Sequence, residues 1–293
     1  MKHTRSLAVL SAILFGCGAL GFADDVAEIE KKIVAAWAKV KSYSAKTTST
    51  SEYAYDGHSE KSEFRGTTEL VLKAEKVFSR TEMNQTTVKT EDGKTTTEKT
   101  HSLIVVNAEF TWKLTETDGK TTVMKMQAYT AATYSPETYF KSYRDNYTIK
   151  SLPDAKFDGA DCYVLEAKMK PVEGLPASGA FVTYYRKDCG ISVKSVTYDA
   201  DGKVTMESLT TDLKLNPSIS DKRFEFTVPE GVEVMDMTPE GRKKAMEQMQ
   251  AEEASDEPKA EAKKKEPAKK KEPAKKPEEK KKKKLKLPKI KFP

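Results

Sequence analysis

Few side chains in this sequence are suited to chemistry. Its 293 residues hold three cysteines and three histidines. Cys17 and His3 fall in an N-terminal leader, which leaves Cys162, Cys189, His58 and His101 in the body. That set is too small for a zinc cluster or an iron–sulfur centre, and it excludes a multi-metal enzyme. His58 and His101 each stand in polar surroundings without a second His or Cys, the setting of a solvated or structural imidazole. No nucleophile elbow, phosphate-binding glycine loop or HExxH pair occurs. The Asp-Gly pairs lack the ligand spacing of a calcium loop. Asp161 and Asp188 flank the two cysteines and would form a close carboxylate pair if their strands adjoin; solvated strand ends are the alternative. The expectation is a protein that is not an enzyme and carries no cofactor and no metal.

The leader sets the compartment. Residues 1–23 combine Lys2, His3 and Arg5 with the apolar run SLAVLSAILF, too short to span a bilayer and typical of a secretory signal. Cleavage after Ala23 fits the small-residue rule. The run Leu14-Phe15-Gly16-Cys17 also resembles a lipoprotein box, which would leave a lipidated Cys17 as the mature N-terminus. Either way the chain is expected to be exported, in the periplasm or envelope, with no transmembrane span in the mature chain. In an oxidising compartment Cys162 and Cys189 are candidates for a disulfide, whose loop closure is worth roughly 3–4 kcal/mol; two unpaired small apolar residues are the other reading.

Period-two patterning dominates the elements that follow. Val26, Ile29, Ile33, Trp37 and Val40 make one helical stripe near the start. Between positions 47 and 133 there are 20 Thr, a strand-favouring composition. Turn signals recur at Asp56-Gly57, Asp92-Gly93, Asp118-Gly119, Asp158-Gly159 and Asp201-Gly202. Between them apolar and polar residues alternate, as in Phe110, Trp112 and Leu114 or Met124 and Met126. The pattern predicts a mainly β (α+β) fold: about ten or eleven antiparallel strands with two or three helices. A second helix is expected near SPETYFKSYRDN, with Ser135 as cap and Pro136 in the first turn. A third follows Thr238-Pro239.

A sheet this wide has more apolar surface than two or three short helices can seal. It is expected to curl as an unclosed half-barrel, leaving an apolar trough; an ordinary filled sandwich is the alternative. By parity the trough lining is Trp37, Leu72, Phe110, Trp112, Met124, Met126 and Leu165, which supply shape and dryness rather than reactivity.

The order of parts resembles a known family. An amphipathic helix runs into Lys41-Ser42-Tyr43-Ser44, Thr-rich meanders follow, then YYRKDCGISVKSVTYDADGKV (184–204) and LKLNPSISDKRFEFTVPEGVEVMDMTP (213–239). This is similar to the outer-membrane lipoprotein carriers (LolA-like) and the wider superfamily of periplasmic lipid and lipoprotein binders. The resemblance implies an unclosed antiparallel barrel with helices as a lid, holding acyl chains of a lipid or lipoprotein without covalent chemistry. It also implies a charged residue inside the trough, for which Arg65 and Arg80 are the candidates. The long Lys-rich tail and the cysteine pair depart from the family pattern.

That tail is a region of its own. Positions 259–293 hold 17 Lys against 5 Glu, whereas the whole chain carries only +6, so an acidic body (24–251) bears a basic extension (252–293). AKKKEP occurs at 262–267 and 268–273, and Lys280, Lys281, Lys282, Lys283 and Lys284 form an unbroken run. Regular Pro and high charge without core residues predict a disordered spacer. Its expected partner is an anionic envelope surface, at about 1 kcal/mol per Lys; a solubilising tail is the alternative, and export excludes nucleic acid. Together these features predict an exported lipid or lipoprotein carrier. The second reading is a structural envelope protein with a β spacer and a surface-binding tail.

Overall fold

The computed structural model describes residues 25–132, 134–171 and 179–255. Helix α1 (Val26–Trp37) is the first described element, and the Asp25 carboxylate accepts from the Ala27 N–H at 3.3 Å as its cap. Six strands follow: β1 (Ser42–Tyr55), β2 (His58–Lys73), β3 (Lys76–Glu91), β4 (Lys94–Val106), β5 (Phe110–Thr117) and β6 (Lys120–Gln127). Helix α2 (Pro136–Asn146) interrupts the meander, with Ser135 Oγ accepting from Glu137 N–H at 3.2 Å and Pro136 in the first turn. The sheet resumes with β7 (Tyr147–Phe157), β8 (Ala160–Met169), β9 (Ala180–Arg186), β10 (Ser192–Tyr198) and β11 (Val204–Leu215). After a 3-10 turn at Asp221–Phe224, the described residues end in β12 (Val234–Asp236) and α3 (Pro239–Ser255). Helix α3 crosses position 251, where the composition alone would end the body.

The twelve strands of the described residues form one sheet that does not close, ordered β12-β6-β5-β4-β3-β2-β1-β11-β10-β9-β8-β7. Every pair is antiparallel except β12 with β6. The expected half-barrel is therefore present, with one short strand more than the alternation showed. Four of the Asp-Gly pairs are two-residue turns with positive φ at both residues, such as Asp92 at 50° and Gly93 at 74°. Asp201-Gly202 differs: the loop is organised by Asp199, whose side chain accepts from the N–H groups of Asp201 and Lys203.

The register assigns every side chain to a face. Residues directly opposed across an antiparallel ladder share a face, and faces alternate along a strand. Tyr43 meets Trp37 of α1, ring centroids 6.3 Å apart, and so marks the helix face. From it the ladder runs Tyr43, Leu70, Ser79, Val106, Thr111, Met126 across six strands. Helices α1 and α2 cover the β7–β9 end of this face, where Ile29, Ile33, Phe140, Leu165 and Tyr185 make a closed core.

The opposite face has its own cover. After β11 the chain crosses back over β1 to β6 as a strap. Asp221 pairs with Lys73 at 2.6 Å and Arg223 with Glu69 at 2.8 Å. Phe224 packs on Phe78 at 5.9 Å, and Phe226 stacks on Trp112 at 5.2 Å. Lys125 lies 3.8 Å from the Phe110 ring centroid and 3.8 Å from Asp236. The sheet thus has two apolar zones on opposite faces, one under helices and one under the strap.

Candidate functional site

Of the seven residues predicted to line one trough, Trp37, Leu72, Met124, Met126 and Leu165 belong to the helix face and Phe110 and Trp112 do not. Thr111 holds the helix-face position of β5 opposite Val106, so its two neighbours turn to the strap face. Parity within a strand cannot reveal this, because it does not say which face the neighbouring strand shares. Leu165 is packed inside the closed core, and Met124 and Met126 lie at the far sheet edge. The sequence-predicted residues are thus dispersed rather than gathered. Arg65 and Arg80 also stand on the strap face. Gly66 pairs with Thr47 and Ser79 with Leu70, which puts both on the helix face and turns the adjacent arginines away from it. Neither arginine supplies a charge inside the trough.

Of the two readings of the cysteines the disulfide is not seen: both are free, buried thiols. Cys189 packs with Val40 and Ile191 beside Trp37 on the helix side. Tyr163 packs against the helix-face core, so the adjacent Cys162 turns to the other face, opposite Arg186. Burial raises both thiol pKa values, that of Cys189 to about 11, which keeps them protonated and unreactive. Strands β8 and β9 do adjoin, yet Asp161 and Asp188 do not form a carboxylate pair. Asp188 accepts from Arg186 Nε at 3.0 Å and Nη2 at 2.6 Å, and Asp161 is 3.5 Å from Lys156. His101 Nδ1 is 3.2 Å from Asn84 Oδ1, and His58 is 3.4 Å from Glu91. Among the described residues no group of three or more His, Cys, Asp or Glu could hold a metal ion, and no helix is long and apolar enough to cross a membrane. The leader with Cys17, and the tail with Lys280–Lys284, lie outside the described residues.

What the fold does assemble is an aromatic cleft of 530 Å³ on the helix face, between the end of α1, the start of α2 and strands β1, β9 and β10. Trp37, Tyr43, Tyr134, Tyr139 and Tyr185 line it together with Ile191, and no lining residue carries a formal charge. Each is placed by a different element. Trp37 ends the α1 stripe. Tyr43 begins β1, and Tyr185 closes β9. Tyr134 arrives on the segment after β6, which is tied to the β2–β3 turn by Ala131 N–H donating to Glu75 C=O at 2.8 Å. Tyr139 stands one turn into α2. Trp37 contacts Tyr134 at 6.4 Å, and Phe140 extends the surface to Tyr185 at 5.6 Å.

Gly190 makes the close approach of α1 possible. Its φ is +69°, and a Cβ there would lie 2.3 Å from the Ile33 carbonyl oxygen. Burial pushes the Tyr43 and Tyr185 phenols well up and that of Tyr139 up to about 12, so all three stay neutral hydroxyls at physiological pH. Beside the cleft, Glu30 of α1 is buried and 3.2 Å from Arg144 of α2. Its other oxygen has no partner among the described residues, and burial raises its pKa. A neutral, aromatic surface of this size suits apolar contact, with hydroxyls of Tyr and Ser side chains as its polar groups. The sequence reading missed Tyr43, Tyr134, Tyr139 and Tyr185. The signal was present in the near-helical spacing of Tyr139, Tyr143 and Tyr147 and in the Tyr184-Tyr185 pair.

No protein-family model and no curated protein matches the chain. Solved structures match remotely. MucB shares 11% identity over 69% of this chain with a TM-score of 0.35, and the chain spans only 62% of MucB. An uncharacterized conserved protein from Thermus thermophilus shares 12% over 72% of this chain and 98% of its own, at 0.42. A putative outer-membrane lipoprotein-sorting protein domain from Vibrio parahaemolyticus shares 14% over 68% of this chain and 95% of its own, at 0.28.

Proposed function

We propose that the protein is an exported envelope carrier that holds the acyl chain of a lipid or lipoprotein non-covalently in the aromatic cleft. The observation that carries the reading is the cleft itself: five aromatic side chains and no charge around 530 Å³, within the ~300–1,000 Å³ of small-molecule sites. Each methylene taken from water into such a surface stabilises the complex by about 0.8 kcal/mol. The neutral phenols and Ser135 leave polar atoms at the rim for a carboxyl or ester group. The protein performs no reaction on its guest. The basic extension at 252–293 holds the carrier near an anionic envelope surface.

Solvent extraction of the purified full chain, followed by mass spectrometry, tests this. The expected result is a co-purifying acyl lipid that is lost in Trp37→Ala. Recovery of no lipid from the folded wild-type protein favours the rival reading, a structural spacer with a surface-binding tail. Deleting 259–293 separates the two parts: lipid is retained while binding to anionic vesicles falls.

A further inference from the structure

A second, chemically different feature lies at the far edge of the sheet. Strands β6 and β12 pair in parallel, with Met235 opposite Met124 and Asp236 opposite Lys125. The Met237 N–H donates to the Lys125 carbonyl at 2.7 Å, a bond that belongs to the Asp236–Lys125 pair and turns the Met237 backbone toward β6, so that Met237, two residues beyond Met235, keeps the side of Met235. Opposed residues share a face and faces repeat every second residue, so all four methionines project from one face. Their Cα atoms mark a rectangle of about 4.8 by about 6.6 Å. The intervening pair confirms the assignment from the other side, because Lys125 and Asp236 meet at 3.8 Å on the strap face.

Met235 and Met237 are not core filling, and Met124 and Met126 are only partly buried. Met235 is 57% exposed and Met237 37%, and a cleft of 510 Å³ opens beside them, lined by Met124, Met235, Lys113 and Glu233. An exposed edge strand ordinarily carries charged or polar side chains. Four flexible thioethers on one patch are instead a set of soft, neutral sulfur donors, and such donors select Cu(I) over the hard cations that carboxylates bind. Lys113, which neighbours Met124 on the same face, lines the cleft together with Lys120 and Glu233.

We propose that Met124, Met126, Met235 and Met237 form a thioether site for a soft monovalent cation, Cu(I), at the β6–β12 edge. The site is independent of the acyl-chain reading, since none of its residues lines the aromatic cleft. The test uses the purified full chain with methyl-labelled methionine, titrated with Ag(I) as a redox-inert probe and then anaerobically with Cu(I) against a chromophoric Cu(I) chelator. One equivalent is expected to bind and to shift the methyl signals of these four residues. Met235→Leu/Met237→Leu, a volume-conserving change on the exposed strand, is expected to weaken binding at least tenfold with the circular dichroism spectrum unchanged. Met246→Leu/Met249→Leu, on the exposed face of α3, is expected to leave it unaltered. Failure to hold either ion against the chelator, or an equivalent that survives Met235→Leu/Met237→Leu, would overturn the proposal.

Discussion

Trp37 and Trp112, the two tryptophans of the chain, lie on opposite faces of one sheet. Trp37 meets Tyr43 at 6.3 Å on the helix face, whereas Trp112 stacks on Phe226 at 5.2 Å under the strap. The apolar surplus of the sheet is therefore divided. One share is sealed by the chain's own C-terminal crossing, and the other remains partly open between α1, α2 and β1.

The strap should be a principal source of stability for the β1–β6 half. Phe224 is buried against Phe78, so Phe224→Ala is expected to cost about 3–5 kcal/mol in urea unfolding. Its effect on acyl binding at the opposite face should be small so long as the protein stays folded. A loss below about 1 kcal/mol, the size of an ordinary surface change, would show that the strap merely rests on the sheet.

Gly190 is where α1 docks. Gly190→Ala forces a left-handed backbone on a side-chain-bearing residue, about 1–3 kcal/mol, and adds the contact with the Ile33 carbonyl. The variant should unfold at lower denaturant and bind lipid more weakly, because the cleft wall formed by Trp37 is displaced. Wild-type stability and affinity together would contradict this.

Much of this was legible in the sequence, and the limits have physical causes. Helix caps were readable because they are local: Ser135 caps α2, and Thr238 Oγ1 accepts from Gly241 N–H at 3.1 Å at the start of α3. The Asp-Gly turns and the alternation gave the meander and the unclosed sheet. Face assignment was not local. Whether Phe110 joins Leu72 depends on the register of β2 to β5, which a single strand's alternation does not contain. The cleft tyrosines were missed for the same reason, since they come together from separate elements.

Glu30 should make stability depend on pH. Burial raises its pKa above 4.5, against the pull of Arg144. The folded protein then binds this proton more tightly than the unfolded chain does. That contribution is full below pH 4.5 and is lost as pH rises through the folded value. The Tm difference between wild type and Glu30→Gln should therefore shift in favour of wild type as pH falls from neutrality. A difference that is flat, or that moves the other way, would refute the burial of an ionisable carboxyl here.

Thr111 offers a gain. Its hydroxyl is buried with no partner among the described residues, so Thr111→Val should stabilise by about 1 kcal/mol in the same urea assay. A destabilised variant would mean that the hydroxyl is satisfied in solution.

The most direct measurement uses the Trp112→Phe protein, in which Trp37 is the only indole. Titration with a fatty acid bearing a nitroxide on its chain should quench Trp37 emission saturably, near one equivalent, and an unlabelled fatty acid should restore it. Unquenched emission at concentrations where the probe is bound, or quenching that never saturates, would contradict an acyl site in the aromatic cleft.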